Sequence, residues 1–274
     1  MKQYNGEKYI VSFTSFGERF NSAVQMLSTL AWQYYRDFHI VMTVYKDDVK
    51  DIPASLQSLI DHNVLELIVA DENLCPHLKY FYAMKKYLDK PIITVDDDRL
   101  YSQNTLLMLI RKYETLNYKS IISNCATEMS TTNGKLDPRD KWCVVPRRLL
   151  PNIKSYAAMA EGFAGVLYPP CCFDKLDDEV QNIKQCLYDD DLFLKVLELK
   201  QDLPVTQSSA IYGAICQTGV IGIDIVEAQN FSLAKHHDAT MAYRKNVTEL
   251  FEQDLLKAFN WKVESYKRML KDLQ

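Results

Sequence analysis

The chain has 274 residues, enough for one large domain or two small ones, with a core that buries about three quarters of the unfolded surface. At 47% hydrophobic and 25% charged, with 8 Gly and 9 Pro, it excludes collagenous, linker-like and disordered classes. Lys and Arg number 32 against 36 Asp and Glu, and the net charge of -4 argues against a nucleic-acid binder, which carries a basic excess.

In chain order, Tyr9 to Phe13 is a short β-rich run. After Gly17, the residues Phe20, Ala23, Val24, Leu27, Leu30, Ala31 and Tyr34 recur with the period of an amphipathic helix. His39 to Tyr45 follows as a second strand. Asp51 stands where an N-cap would, Pro53 lies in the first turn, and Leu56, Leu59 and Ile60 share one face before a third strand at Val64 to Val69. Pro76 opens a helix to about Tyr87, and Pro91 to Val95 is a fourth strand. Ser102 caps a helix holding Leu106, Leu109, Ile110 and Tyr113, and Ser120 to Ser123 is a fifth strand. Short apolar strands separated by helices predict βαβ units around a parallel sheet, whose ligands bind at the carboxyl ends of the strands.

Beyond Asn124 the pattern loosens into a polar segment to about Ser155. Gly162 to Tyr168 then reads as a strand, Asp191 to Leu199 as a helix, Val220 to Val226 as a strand and Val247 to Leu273 as a long amphipathic helix. No apolar stretch is long enough to span a bilayer, and no signal sequence follows the polar start, so the chain is expected in the cytosol. Seven cysteines without a CxxC pair are expected to be reduced, and the sequons at Asn230 and Asn246 then carry no weight.

Pro91 to Tyr101 is the most informative segment. A buried strand ends and Asp96, Asp97 and Asp98 follow at once. Three adjacent carboxylates repel one another, so something positive is expected there. Residues two apart in an extended segment point the same way, so Asp96 and Asp98 address one site while Asp97 turns elsewhere. A Mg²⁺ or Mn²⁺ ion shared with substrate phosphates suits that pair, and a solvated turn with an Asp capping the next helix is the alternative. A second cluster, Asp189 to Asp191, precedes an apolar helix. One Asp at a helix start is explained by capping and the dipole; three ask for more.

Val11-Ser-Phe-Thr-Ser-Phe-Gly-Glu-Arg19, Gln33, His77-Leu-Lys-Tyr80 and Ile-Thr-Val-Asp-Asp-Asp98 together resemble bacterial glycosyltransferases of the GT-A fold, with Asp96-Asp97-Asp98 matching their Asp-x-Asp motif. The likeness is good over about the first 100 residues and patchier through Gly162 to Pro170 and Asp189 to Leu199. It implies a Rossmann-like α/β fold with a mostly parallel twisted sheet flanked by helices, in one domain over 1–274. Within it, 1–124 would take the nucleotide-sugar, 125–246 the acceptor, and 247–274 would be a C-terminal helix.

By the same resemblance Asp98 ligates Mn²⁺ or Mg²⁺, and Asp96 contacts the metal or the ribose of a UDP-sugar, with Asp97 beside them. Thr14, Ser15 and Phe16 lie by the uracil, and Arg19 and Lys79 near the diphosphate, although solvated helix positions are equally open for both cations. Asp71 and Glu72 either meet the nucleoside or lie on a surface loop. Asp190 or Asp191 serves as the base that takes the acceptor hydroxyl proton, with inversion at the anomeric carbon. His236 or His237 completes the metal shell or is an ordinary loop histidine, while His39 and His77 read as structural.

The implied reaction transfers a sugar to a glycan or lipid-linked acceptor in surface polysaccharide synthesis. The C-terminal helix packs on the domain, or docks at the inner face of the membrane or on a second subunit. A sugar-phosphate nucleotidyltransferase and a catalytically silent glycan- or partner-binding module are the alternatives. The sequence lacks the Gly-rich loop usual in the former, and the acidic clusters count against the latter.

Overall fold

A computed structural model describes residues 6–117, 120–144, 154–173, 175–208, 222–224 and 248–259. Among them the chain runs β1 (Tyr9–Thr14), α1 (Phe20–Leu30), β2 (Phe38–Tyr45), α2 (Ala54–Asp61), β3 (Glu66–Ala70), α3 (Leu78–Lys86), β4 (Ile92–Thr94), β5 (Arg99–Tyr101), α4 (Thr105–Thr115) and β6 (Ile121–Ser123). There follow β7 (Ala126–Glu128), β8 (Thr131–Thr132), β9 (Lys135–Leu136), β10 (Cys143–Val144), β11 (Ala158–Ala160), β12 (Val166–Tyr168), α5 (Val180–Gln185), α6 (Asp190–Lys200), β13 (Val205–Gln207) and β14 (Gly222–Asp224).

The main sheet has the order β13-β6-β12-β4-β1-β2-β3. All its pairings are parallel except those of β12, which runs antiparallel between β4 and β6. The fold is therefore mixed α/β with a mostly parallel central sheet flanked by helices, as expected. Alternate residues of each strand enter opposite cores, as the two-residue side-chain period requires. Ile10, Val41, Ile92, Ile121 and Val166 join α3 and α6 on one face, and Val11, Met42, Ile93, Ile122 and Leu167 join α1, α2 and α4 on the other. Each such large aliphatic side chain contributes about 1.5–3 kcal/mol on burial, so both faces hold the sheet between helical layers.

Several boundaries differ from the sequence reading. α1 ends at Leu30, not Tyr34. Pro76 sits in a tight turn, Cys75–His77, and the α-helix begins at Leu78. Asp51 closes another such turn, Lys46–Asp51, so it caps nothing, and Pro53 precedes α2. Asn104, not Ser102, precedes α4. Gly162–Ala164 is a turn, not strand: Gly165 adopts φ +88°, a left-handed conformation that breaks extension, and only Val166–Tyr168 pairs. The loosened segment after Asn124 holds a second sheet, β10-β7-β11, that periodicity did not reveal. Of Val220 to Val226, Gly222–Asp224 is described and pairs antiparallel with β5.

Residues 248–259 are largely helical, in line with the expected C-terminal helix; its continuation lies outside the described residues, as do His236 and His237. Among the described residues no helix is long and apolar enough to cross a membrane. The six described cysteines are free thiols.

Candidate active site

Helices that return between parallel strands begin at the carboxyl edge of the sheet, which puts their first turns there. Arg19, just ahead of α1, and Lys79, in the first turn of α3, reach that edge in this way, as do Asp189 to Asp191 at the start of α6. The three aspartates after β4 are there by chain order. β12 adds a fifth component: it is antiparallel and pairs Val166 with Thr94, so the Gly162–Ala164 turn preceding it also lies beside the end of β4.

The positive charge that the first acidic cluster demands is supplied by the chain itself. Arg19 Nε donates to both carboxylate oxygens of Asp97 at 3.0 and 3.1 Å, and its Nη2 lies 3.1 Å from Asp98 Oδ2. Lys79 Nζ donates to Asp96 Oδ1 at 2.9 Å and lies 2.7 Å from Asp190 Oδ2. Lys79 is buried, and burial opposes its charge, but Asp190, Asp96 and Asp191 hold it firmly protonated. One ammonium thus bridges two acidic clusters 94 residues apart in sequence (190 − 96).

Asp97, expected beside the nucleotide, is 2% exposed and faces Arg19. Asp96 pairs most closely with Lys79 and Asp98 with Arg19, whose charge is also stabilised by Asp96. Thr14 donates its hydroxyl to Thr43 O at 2.8 Å, Ser15 is buried with no hydrogen-bond partner for its hydroxyl among the described residues, and Phe16 is 45% exposed with the Arg19 guanidinium 5.9 Å from its ring centre. His77 is buried, with its ring nitrogens bonded to Tyr80 Oη at 2.8 Å and Cys186 O at 3.1 Å, and burial holds it at about 4, hence neutral. Glu72 pairs with Lys184 at the surface.

The second cluster divides its labour. Asp189 caps α6, accepting from Leu192 N at 3.2 Å. Burial opposes ionisation of Asp190, yet Lys79 outweighs it and keeps the carboxyl ionised. Asp191 Oδ1 accepts the Gly162 N–H at 3.0 Å, and burial followed by the adjacent Asp190 charge lifts its proton affinity well above the usual carboxylate range. Gly162 is required for space: a Cβ there would stand 2.7 Å from both Asp191 Oδ1 and Lys79 Nζ.

Three residues that periodicity and motif did not single out complete the arrangement. Tyr101 Oη accepts the Asp96 N–H at 2.8 Å and donates to Phe163 O at 3.1 Å, tying the aspartate loop to the Gly162 turn. Arg139 donates to both oxygens of Asp189 at 3.2 and 3.1 Å and to Glu161 Oε2 at 3.2 Å. Only the small residues of Gly162-Phe-Ala-Gly165 signalled any of this in sequence; nothing local marked Arg139 or Glu161.

Among the described residues no three His, Cys, Asp or Glu side chains converge in a metal-binding geometry. Asp96 and Asp98 nonetheless offer hard oxygen donors, the chemistry that Mg²⁺ or Mn²⁺ takes when phosphate and water fill the other positions. Burial, and then the neighbouring Asp96 charge, push Asp98 up to about 6 against the pull of Arg19. Arg19 therefore leaves Asp98 under-compensated, a condition that a divalent ion relieves. The pair fits such an ion.

No protein-family model matches the chain, and no curated protein matches it in sequence. Among solved structures, TarS 1–349 from S. aureus is 13% identical, with TM-score 0.48, over 90% of this chain and 73% of that one. A mannosyltransferase from Pyrobaculum calidifontis, solved with GDP-Man and Mn²⁺, is 12% identical, with TM-score 0.48, over 89% of this chain and 74% of that one. The 4-diphosphocytidyl-2C-methyl-D-erythritol synthase from Anaerococcus prevotii is 14% identical, with TM-score 0.41, over 75% of this chain and 88% of that one. At such scores and identities these likenesses decide neither family nor activity.

Proposed function

We propose that the chain is a GT-A-type glycosyltransferase, one domain over 1–274 with a donor half (1–124), an acceptor half (125–246) and a C-terminal helix (247–274). It moves a sugar from a nucleotide-sugar, a UDP-sugar, to a hydroxyl of a glycan or lipid-linked acceptor in bacterial surface polysaccharide synthesis, with inversion. The observation that carries this reading is Lys79, which joins Asp96 at 2.9 Å to Asp190 at 2.7 Å at the carboxyl edge of the sheet. A donor-side acid and an acceptor-side acid are thereby held in one site.

In this reading Asp96 and Asp98 hold Mn²⁺ or Mg²⁺, joined by His236. When bound, the cation neutralises charge developing on the departing diphosphate. Thr14, Ser15 and Phe16 flank the nucleotide base, and Arg19 and Lys79 add positive charge toward the phosphates. Asp191 is the base, because a carboxylate with raised proton affinity takes a hydroxyl proton more readily than one clamped by a lysine, as Asp190 is. The acceptor O–H bond breaks, its proton goes to Asp191, the oxygen bonds to the anomeric carbon, and the bond to the diphosphate breaks. Attack from the face opposite the diphosphate inverts the centre.

The test is calorimetric titration of Mn²⁺ and UDP, followed by a panel of UDP- and GDP-sugars for Mn²⁺-dependent hydrolysis, with Asp191→Asn alongside. Metal-dependent nucleotide binding and turnover, with turnover lowered about 100-fold or more in the variant, are expected. No nucleotide binding favours the silent module, and synthesis of a sugar nucleotide from UTP favours the nucleotidyltransferase.

A further inference from the structure

We infer that Arg139 is a positioning residue that sets where the Asp190–Asp191 pair stands relative to the donor, an inference that rests on the transfer reading. The guanidinium joins three parts of the chain distant in sequence. One nitrogen meets both oxygens of Asp189, the residue that caps α6, and the other meets Glu161 Oε2 at 3.2 Å and lies 4.0 Å from Asp191 Oδ2.

Each anchor is itself fixed. Glu161 accepts the Thr127 hydroxyl at 2.5 Å through its other oxygen, and its backbone N–H donates to Cys125 O at 2.8 Å. Arg139 sits in the turn Arg139–Lys141, whose position is held by buried Trp142: the indole N–H donates to Asp137 O at 2.8 Å, and the Trp142 N–H donates to Arg139 O at 3.1 Å.

Asp189, Glu161 and Asp191 converge on this one cation. Without it three carboxylates face one another at low exposure, and separating them moves the first turn of α6 away from the turn that carries Gly162. Asp191 is then drawn off the Gly162 N–H, the hydrogen bond that orients its carboxylate toward that turn. Asp96, Asp97 and Asp98 keep their own cations, Lys79 and Arg19, so the donor side is untouched. Lysine is a poor replacement, because a single ammonium cannot reproduce the planar fork that meets Asp189 and Glu161 together.

The experiment compares the full chain with Arg139→Lys and Arg139→Met. It uses the UDP- or GDP-sugar that the wild type hydrolyses with Mn²⁺, together with amide hydrogen exchange at Gly162 in the ligand-free protein. Turnover is expected to fall about 10-fold in the lysine variant and about 100-fold in the methionine variant, with donor KM within about threefold and Gly162 exchange about 10-fold faster. A merely structural role would lower stability and donor binding together and would not confine the loss to kcat. Turnover within about threefold of wild type in folded variants, or a loss carried by KM, overturns the inference. If Arg139→Met does not fold, Arg139→Lys and Glu161→Gln decide by the same criteria. If the wild type turns over no sugar-nucleotide, the transfer reading fails. The Gly162 amide then judges Arg139 alone: faster exchange upholds its positioning of Asp191, and unchanged exchange overturns it.

Discussion

Gly162→Ala perturbs the candidate site through a single methyl group. The added Cβ stands 2.7 Å from Asp191 Oδ1 and 2.7 Å from Lys79 Nζ, distances at which carbon and a polar atom cannot remain. Relief requires the carboxylate to leave the Gly162 N–H or the ammonium to shift between Asp96 and Asp190. A hydrogen bond to a charged group contributes about 1.5–3 kcal/mol, and Gly→Ala regains about 0.4–1 kcal/mol by restricting the unfolded chain. The net loss is about 1–2 kcal/mol, a Tm lower by about 2–8 °C for a chain of this size. The effect on turnover is larger, because displacing a reacting group by about 1 Å costs about 100-fold.

Thermal melts, Mn²⁺–UDP calorimetry and donor hydrolysis separate these effects. Gly165→Ala is the comparison. It lies three residues away, holds φ +88°, and its Cβ would meet Leu109 at an ordinary 3.4 Å, so its cost is backbone strain of about 1–3 kcal/mol. It is expected to lose as much stability and to keep its turnover while folded. Gly162→Ala turning over within about threefold of wild type, or Gly165→Ala losing as much turnover, would falsify this account.

Two further outcomes follow from the electrostatics. Lys79→Met leaves Asp96 and Asp190 without their shared buried cation. It is expected to destabilise the protein by about 3–5 kcal/mol, and Mn²⁺ is expected to raise its Tm more than that of the wild type; equal increments would detach Asp96 from the metal site. Away from the site, burial opposes ionisation of Glu66, but hydrogen bonds from His39, Lys86 and Tyr87 outweigh it and hold the carboxyl at about 2, below its ordinary 4.5. A depressed carboxylate stabilises the fold above its unfolded value and loses that contribution as the pH falls. The gap between wild type and Glu66→Gln in urea melts, at most about 3 kcal/mol, should therefore close as the pH drops from 4.5 towards 2. A gap that is constant over that window refutes the assignment.

The acidic run after β4 was legible because its anomaly is local: three like charges at the end of a buried strand need a cation wherever they fold. The cation's identity was not. Arg19 stands 78 residues from Asp97, and Lys79 stands 111 from Asp190 (190 − 79); only the return of each helix to the carboxyl edge brings them together. Ser102 looked like the cap of α4, but Asn104, itself already helical in backbone and with no capping side-chain hydrogen bond, precedes that helix. The run Gly162 to Tyr168 looked like one strand because small and branched residues suit extension. Two of its glycines serve other ends, close approach at Gly162 and positive φ at Gly165.

By itself the sequence determined the alternation of strand and helix through α4 and the place of the first acidic cluster, because hydrophobic period and chain order are properties of neighbours along the chain. The tertiary structure decided which charges compensate which. It decided that β12 enters antiparallel and carries Gly162 to the site, and that Arg139, in a polar stretch without periodicity, closes on Asp189 and Glu161. Such contacts depend on the distance between atoms after folding, which separation along the chain does not encode.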